Sequence, residues 1–252
     1  MDPSTSPLPT DDPLLRWAAG QPGGPSRVFV AGSAVAVAAP GLSVLDRLAV
    51  TGPPAAVAAL LREVLPEVGP SYRPLGDREL IDAVGAELGG VLEPVGDFGW
   101  MDRGAAGVPA GVPAGLPAPR GFGWLPPGAW PEVDALLDEA FPASYARPGR
   151  SGAGERWAGV RLPDGRLGAV AALSWCSATV GLISGVATAP AARGRGLART
   201  VCGPVLAEAL ARYGTAGLFV EDTNPAARRL YGSLGLRYRP LRAAAVAGRA
   251  AG

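Results

Sequence analysis

The residues best suited to chemistry begin where an apolar run ends and a basic, glycine-bearing turn opens a helix. Glycine has no Cβ, so backbone N–H groups in such a turn can converge on an anion, and the helix dipole adds positive potential. The block predicts a cradle for a pyrophosphate. Alone, an arginine-glycine turn is also typical of a solvated loop or a nucleic-acid contact. The run and the cradle comprise Val186, Ala187, Thr188, Arg193, Gly194, Arg195, Gly196, Leu197 and Ala198.

A second block follows the short apolar run at 218–220 and contains Asn224, Ala227 and Tyr231. Leu230, Tyr231 and Leu234 share one helical face, which in isolation is typical of a core aromatic. Asn224 precedes Pro225 and is a candidate helix N-cap. Two such blocks at this spacing are far more specific than either one.

Together the two blocks resemble the signature of the GNAT superfamily of acyl-CoA-dependent N-acetyltransferases. The resemblance runs from about Gly123 to the end of the chain and is faint before that. The matching positions are Val186, Arg193, Gly196 and Ala198 in the first half of the signature and Asn224, Ala227, Leu230, Tyr231 and Gly235 in the second.

This resemblance implies an α/β (α+β) fold, with a mixed, mostly antiparallel sheet flanked by helices and a central strand pair that splays apart. The strand at 180–188 would part from the strand at 218–220, and the pantetheine arm of acetyl-CoA would lie in the gap. Arg193 to Ala198 would hold the pyrophosphate, and Asn224, Ala227 and Tyr231 would line the cosubstrate.

The resemblance also implies an N-acetyltransferase, in which a primary amine of a small molecule attacks the thioester of acetyl-CoA directly. The N–H at or near Val186 would polarise the carbonyl, and Tyr231 would protonate the departing thiolate. An alternative is a non-catalytic acyl-CoA-binding sensor or regulatory protein. The general base stays open among Glu221 as first choice, Asp222, Glu155, Asp134 and a water chain. The expected acceptor pocket is lined by Trp130, Phe141 and Tyr145.

Composition excludes several classes of function. The 252 residues contain no histidine, which removes every mechanism that needs an imidazole. Arginine is spread along the chain and balanced by 22 acidic residues, so no nucleic-acid partner is expected. The two cysteines lack the spacing of metal ligands, and we expect both to be small buried apolar residues. No metal is expected. The N-terminus lacks the layout of a secretion signal, so we expect a cytoplasmic protein, with a homodimer left open.

The organisation predicted from the sequence is an N-terminal α/β domain at 1–103, a Gly/Ala/Pro-rich linker at 104–119 and a catalytic GNAT domain at 120–252. The N-terminal domain is expected to be smaller and GNAT-like, and it is a candidate degenerate copy, because 48–53 resemble 185–190 but no cradle follows. The uncharged run at 167–192 is long enough to cross a membrane. Its serines, glycines and a turn near Ala178 instead predict a buried hairpin, and no membrane partner is expected.

Overall fold

The computed structural model describes residues 8–20, 26–104, 119–152 and 154–248. The chain divides into two compact units, Met1–Gly99 with Arg239–Gly252, and Trp100–Tyr238. Most of the predicted linker, residues 105–118, lies outside the described residues. Residues 239–248 group with the first unit, in which Leu241 to Ala243 pair with a strand, and the domain boundaries given from the sequence stay a prediction.

The first unit is a mixed sheet with helices. Its strands lie in the order β1-β2-β3-β4-β11-β5, and β3 pairs with β4 in parallel. Strand β5 begins in this unit and ends in the second. The elements are α1 (Pro13–Ala19), β1 (Arg27–Ala31), β2 (Ala34–Leu42), β3 (Leu45–Thr51), α2 (Pro54–Val68), β4 (Arg73–Asp77), α3 (Arg78–Glu87), β5 (Leu92–Gly104) and β11 (Arg237–Val246).

The second unit contains both sequence blocks. Its strands lie in the order β5-β10-β9-β8-β7-β6, where β5 contributes the residues after Gly99. Strands β6 to β9 are antiparallel, and β9 pairs with β10 in parallel. The elements are β6 (Phe122–Leu125), α4 (Trp130–Ala140), β7 (Arg156–Arg161), β8 (Leu167–Leu173), β9 (Gly181–Thr188), α5 (Leu197–Tyr213), β10 (Thr215–Glu221) and α6 (Pro225–Ser233).

Apolar residues of the second unit fill two cores. In one, α5 packs its buried Val201, Val205 and Leu206 against small and branched residues of β8 and β10. In the other, α4 packs Val133 and Leu137 with residues of β7 and β8. Small residues such as those of β8, which is buried at every position, let both helices approach the sheet closely. The sheet therefore carries helices over both of its faces.

Several sequence expectations are confirmed. Helix α5 has the predicted bounds, and the uncharged run forms the β8–β9 hairpin. No helix in the described ranges is long and apolar enough to cross a membrane. Helix α1 and strands β4 and β5 escaped prediction. Strand β4 has five residues that include Pro74 and Gly76, and β5 mixes glycine, proline and charged residues, so neither shows the alternation that marks a strand.

Candidate active site

The centre of the candidate site is the gap between β9 and β10. These parallel strands pair at Ala216 with Gly181 and at Gly217 with Leu182, and no further pair follows in the described residues. Beyond these positions β9 continues to Thr188 and β10 to Glu221. The backbone groups along the diverging edges therefore lack the partners that a continuous ladder would supply.

A β-bulge in β9 accompanies this divergence. Between the pairs Val170–Ala187 and Ala172–Ser184, the single residue Ala171 faces two residues of β9, Gly185 and Val186. Gly185 has a φ of +57°, the left-handed conformation that glycine adopts without steric cost. A bulge bends its strand and increases its twist, and this one lies in the part of β9 where pairing with β10 has ended.

The register after the bulge fixes which backbone groups of β9 face β8. The Ala189 N–H donates to Gly168 O at 2.9 Å, and alternate residues of an antiparallel strand face the same neighbour. Ala187 therefore faces β8, whereas Thr188 turns its backbone groups away from it. The carbonyl of Thr188 follows this pattern, since it accepts from Arg193 Nε at 3.4 Å. Val186 itself lies in the bulge, in the part of β9 beyond its two pairs with β10.

The basic turn connects β9 to α5. Gly194 and Gly196 have φ values of +75° and +76°, and Gly196 occupies the N-cap position of α5. The first hydrogen bond of the helix runs from the Thr200 N–H to Gly196 O. Within the described chain, the N–H groups of residues 197–199 donate to no backbone acceptor. Free first-turn N–H groups and the helix dipole favour an anion at this point.

The two arginines of the turn differ in their surroundings. Arg193 donates to the carbonyls of Thr188 and Ala140 at 3.4 and 3.3 Å, so its side chain ties the turn to the end of α4. Arg195 is exposed and lies at the rim of a groove of about 500 Å³ between α4 and the β7–β8 turn. Arg193 therefore supports the conformation of the turn, whereas Arg195 remains open to solvent.

Asn224 caps helix α6. Its Oδ1 accepts from the Ala227 N–H at 3.0 Å, and Pro225 occupies the first turn. Ala227 is half-buried against the core beside the sheet. The capping role predicted for Asn224 is confirmed, and it orients the helix that carries Tyr231.

Tyr231 is the buried residue of α6, with 7% of its surface exposed, in the same core as Val220 and Ile183. Burial raises the pKa of its phenol well above the usual value, and the neighbouring Cys202 adds to the shift. Burial likewise raises the pKa of the Cys202 thiol to about 12. Tyr231 is thus a core residue that stays protonated, and Cys202 stays a neutral thiol.

The four candidate carboxylates have different environments. Glu155 accepts from the N–H groups of Gly149 and Ser151 at 3.1 and 3.0 Å, and from the indole N–H of Trp157. Asp134 lies 3.7 Å from a nitrogen of Arg147.

Asp222 accepts from the hydroxyl of Tyr238 at 2.5 Å, and the guanidinium of Arg228 lies 3.9 Å from the centre of the Tyr238 ring. Glu221, at the end of β10, is exposed, and its carboxylate makes no hydrogen bond or ion pair within the described residues. Of the four, Glu221 is the carboxylate left open to solvent.

The three aromatic residues expected in an acceptor pocket do not share one environment. Trp130, the first residue of α4, packs against the core that this helix covers. Its buried Nε1 has no hydrogen-bond partner among the described atoms. Phe141 and Tyr145 are 39% and 57% exposed in the segment after α4. Arg147 holds this segment, donating to Asp138 Oδ1 at 2.7 Å and to Pro142 O at 3.1 Å.

Sequence reasoning missed Gly185, Trp157 and Arg147, and it named Glu155 as a candidate base and not as a residue that tethers this segment. A glycine inside an apolar strand pattern is a recognised signal for a bulge, so Gly185 could have been found. Arg147 and Glu155 hydrogen-bond to backbone groups of the same loop, and no periodicity in the sequence predicts such contacts.

The antiparallel strands β6 to β9, the parallel pair β9–β10 that parts and the intervening helix α5 define the GNAT fold. Residues 127–236 match the model of the Acetyltransferase (GNAT) family. That segment of the chain is therefore a GNAT acetyltransferase domain. No curated protein matches the chain in sequence.

Solved structures share the fold over most of the chain. A GCN5-related N-acetyltransferase from Kribbella flavida has a TM-score of 0.58 at 20% identity, covering 94% of this chain and 93% of its own. A GNAT-family protein from Novosphingobium aromaticivorans has 0.55 at 23%, covering 92% and 95%. An acetyltransferase from Colwellia psychrerythraea has 0.53 at 12%, covering 95% and 91%. At these identities the likeness is one of fold.

Proposed function

We propose that the protein transfers an acetyl group from acetyl-CoA to a primary amine of a small molecule, by direct attack of the amine on the thioester. One observation carries the proposal: β9 and β10 pair at two positions and then part, beside a helix whose first N–H groups are free. A flat pantetheine arm fits between diverging strand edges, and a pyrophosphate fits the glycine turn. Acetyl-CoA supplies the activated acetyl group.

The chain's own groups support each part of this binding. The turn at 193–198 contributes two glycines at positive φ, which leave its backbone N–H groups uncovered by side chains. The Val186 N–H, in the bulge of β9 beyond its pairs with β10, is the proposed donor to the thioester oxygen. A fixed donor aimed at an oxygen that gains negative charge stabilises the transition state without reorganisation, typically by about 3 kcal/mol.

Proton transfers are assigned to two side chains. Tyr231 is the proposed donor to the departing sulfur; burial raises its pKa, which keeps the proton on the phenol at neutral pH and also makes the phenol a weaker acid. Glu221 is the proposed acceptor of the amine's proton, directly or through water, because its carboxylate is free of partners in the described chain. Glu155 makes a poorer base, since four donors already occupy its oxygens.

The first test is isothermal titration of acetyl-CoA into the wild-type protein and a Gly196→Glu variant. The introduced carboxylate would lie where the pyrophosphate is expected, so like charges should repel and binding should be lost. A wild-type protein that does not bind acetyl-CoA would contradict the proposal. Where binding is seen, release of free thiol with a panel of amines separates an enzyme from a non-catalytic sensor.

Gly214 offers a matched control at the opposite end of the same helix. It has a φ of +74°, and a Cβ there would meet no atom within 4 Å, as at Gly196. Gly214→Glu therefore introduces the same side chain with comparable backbone strain, of about 1 kcal/mol. We expect this variant to bind acetyl-CoA like the wild type. Thermal unfolding of both variants checks that each is folded.

A further inference from the structure

Arg199 is a cation whose position is fixed but whose charge is not balanced. It lies in the first turn of α5, and its Nη1 donates to the Ser233 hydroxyl in α6 at 2.5 Å. Ser233 Oγ in turn donates to Leu230 O at 2.6 Å. A hydroxyl has a single proton, so this bond leaves its lone pairs to receive the guanidinium. Ser233 therefore orients Arg199 from the facing helix.

No carboxylate pairs with Arg199 in the part of the chain that the structure describes. Several other arginines of the second unit have such partners: Arg147 with Asp138, Arg161 with Glu132, Arg166 with Asp164 and Arg212 with Glu208. The first turns of α5 and α6 contain no acidic residue. The remaining donors of Arg199 are therefore available to an anion from solution.

Charge distinguishes two paths for the nucleotide end of acetyl-CoA as it leaves the glycine turn. One leads to the groove between α4 and the β7–β8 turn, whose lining has three carboxylates, Glu132, Glu139 and Asp164, against two arginines. The other leads over the first turn of α5 towards Arg199. Glu132 and Asp164 are already paired with arginines, so the groove offers a phosphorylated ribose no net attraction, whereas the second path offers the unbalanced charge of Arg199.

We propose that Arg199, oriented by Ser233, binds the 3′-phosphate of the cosubstrate and makes the protein prefer CoA to 3′-dephospho-CoA. The inference rests on the proposed function, because it assumes that the pyrophosphate occupies the turn at 193–198. A planar guanidinium can bind phosphate oxygens through two parallel N–H groups, and such charge-assisted hydrogen bonds are the stronger kind. Ser233 is a positioning residue that contacts no ligand.

The test is titration of CoA and 3′-dephospho-CoA into the wild type and an Arg199→Gln variant. We expect the wild type to bind CoA roughly tenfold more tightly, as one charge-assisted contact in partial solvent implies. Arg199→Gln should remove this preference while its affinity for 3′-dephospho-CoA stays close to the wild-type value. Ser233→Ala should reduce the preference less, and Arg199→Lys should retain part of it.

Arg212→Gln is the matched control, because Arg212 lies on the same helix 13 residues away, about 20 Å along its axis. It should keep the full preference. Equal binding of the two probes by the wild type, or an equal loss of both in Arg199→Gln, would overturn this inference and leave the proposed function standing. Failure of the wild type to bind either probe would contradict both.

Discussion

At Gly185 a Cβ would lie 2.4 Å from Cη2 and 2.8 Å from Cζ3 of the buried Trp157 ring. The φ of +57° adds strain for any other residue. We expect Gly185→Ala to lower the free energy of unfolding by about 2–4 kcal/mol, from backbone strain and overpacking together. It should also weaken acetyl-CoA binding, because relief of the clash requires the bulge to move. Denaturant unfolding and titration measure the two effects.

Gly165 is the control for this change. It has a φ of +86° in the β7–β8 turn, and a Cβ there would meet nothing within 4 Å. Gly165→Ala should therefore cost only the backbone strain, about 1 kcal/mol, and leave binding intact. A Gly185→Ala protein as stable as Gly165→Ala would show that Trp157 yields readily and that the bulge is not held by packing.

Removal of one oxygen at Tyr231 separates its two roles. The ring of Tyr231 packs in the core, and Phe preserves this packing, so Tyr231→Phe should fold and bind acetyl-CoA normally. Loss of a positioned acid should lower kcat by roughly 10²- to 10⁴-fold. Because the pKa of Tyr231 is raised, wild-type kcat should not fall at alkaline pH through ionisation of this phenol. Steady-state kinetics across pH measures both.

Tyr213→Phe, which removes a hydroxyl at the far end of α5, should leave kcat unchanged. If Tyr231→Phe retained full kcat, the residue would be a core aromatic and nothing more. The sequence left these two interpretations of Tyr231 open because a helix position that faces the core also faces the sheet. Its spacing from Asn224 predicts the helix but not what the hydroxyl meets.

The segment between α4 and β7 depends on Glu155. Its carboxylate accepts from Gly149, from both the amide and the hydroxyl of Ser151, and from the indole of Trp157. Glu155→Ala should leave these donors unpaired and cost about 1–3 kcal/mol. Hydrogen exchange at Gly149 and Ser151 should quicken while exchange in α4 stays slow. If the segment contacts the acceptor, KM for the amine should rise more than KM for acetyl-CoA.

Asp164→Ala is the comparison, since Asp164 is an exposed turn carboxylate that accepts from Arg166. Its effects should stay within its own turn and within about 0.5 kcal/mol. Unchanged exchange at residues 149–151 in Glu155→Ala would show that Arg147 alone holds the segment.

Most helices and strands were predictable from the sequence, and the residues at which they begin and end show why. Helix α5 begins after Gly196 and ends before Gly214, so glycines in the left-handed conformation mark both ends in the sequence. Strand β10 was predicted as 218–220 but runs from Thr215 to Glu221, because its first residues pair with β9. Pairing between strands extends an element beyond what its own residues indicate.

Across the whole molecule the order of elements occurs twice. Strands β1 to β3, α2, β4, α3 and β5 follow one another as β7 to β9, α5, β10, α6 and β11 do, and β3 is parallel to β4 as β9 is to β10. The sequence predicts a degenerate copy from little more than 48–53. The repetition is therefore plainer in the order of the elements than in the residues.

The first unit differs from the second at the positions that would bind a cosubstrate. Strands β3 and β4 pair from Arg47 to Ala49, and a Cβ at Gly76 would still lie only 3.0 Å from Val50 O, so the strands stay in contact. Helix α2 begins with Pro53 at its N-cap and Pro54 in its first turn. Proline has no N–H, so Pro54 removes the first of the three N–H groups that α5 offers to an anion at the equivalent point.

Titration should therefore give one acetyl-CoA per chain, bound in the second unit, and Gly196→Glu should abolish all of it. A stoichiometry of two, or residual binding in Gly196→Glu at an affinity near the wild-type value, would place a second site in the first unit despite its prolines. Val50→Asp is not a useful probe because Val50 is buried and the change would unfold the unit. Pro54→Ala is a useful probe, because it restores one N–H in the first turn of α2 at little steric cost. It should leave the stoichiometry at one, because the closed contact between Val50 and Gly76 still excludes a pantetheine arm.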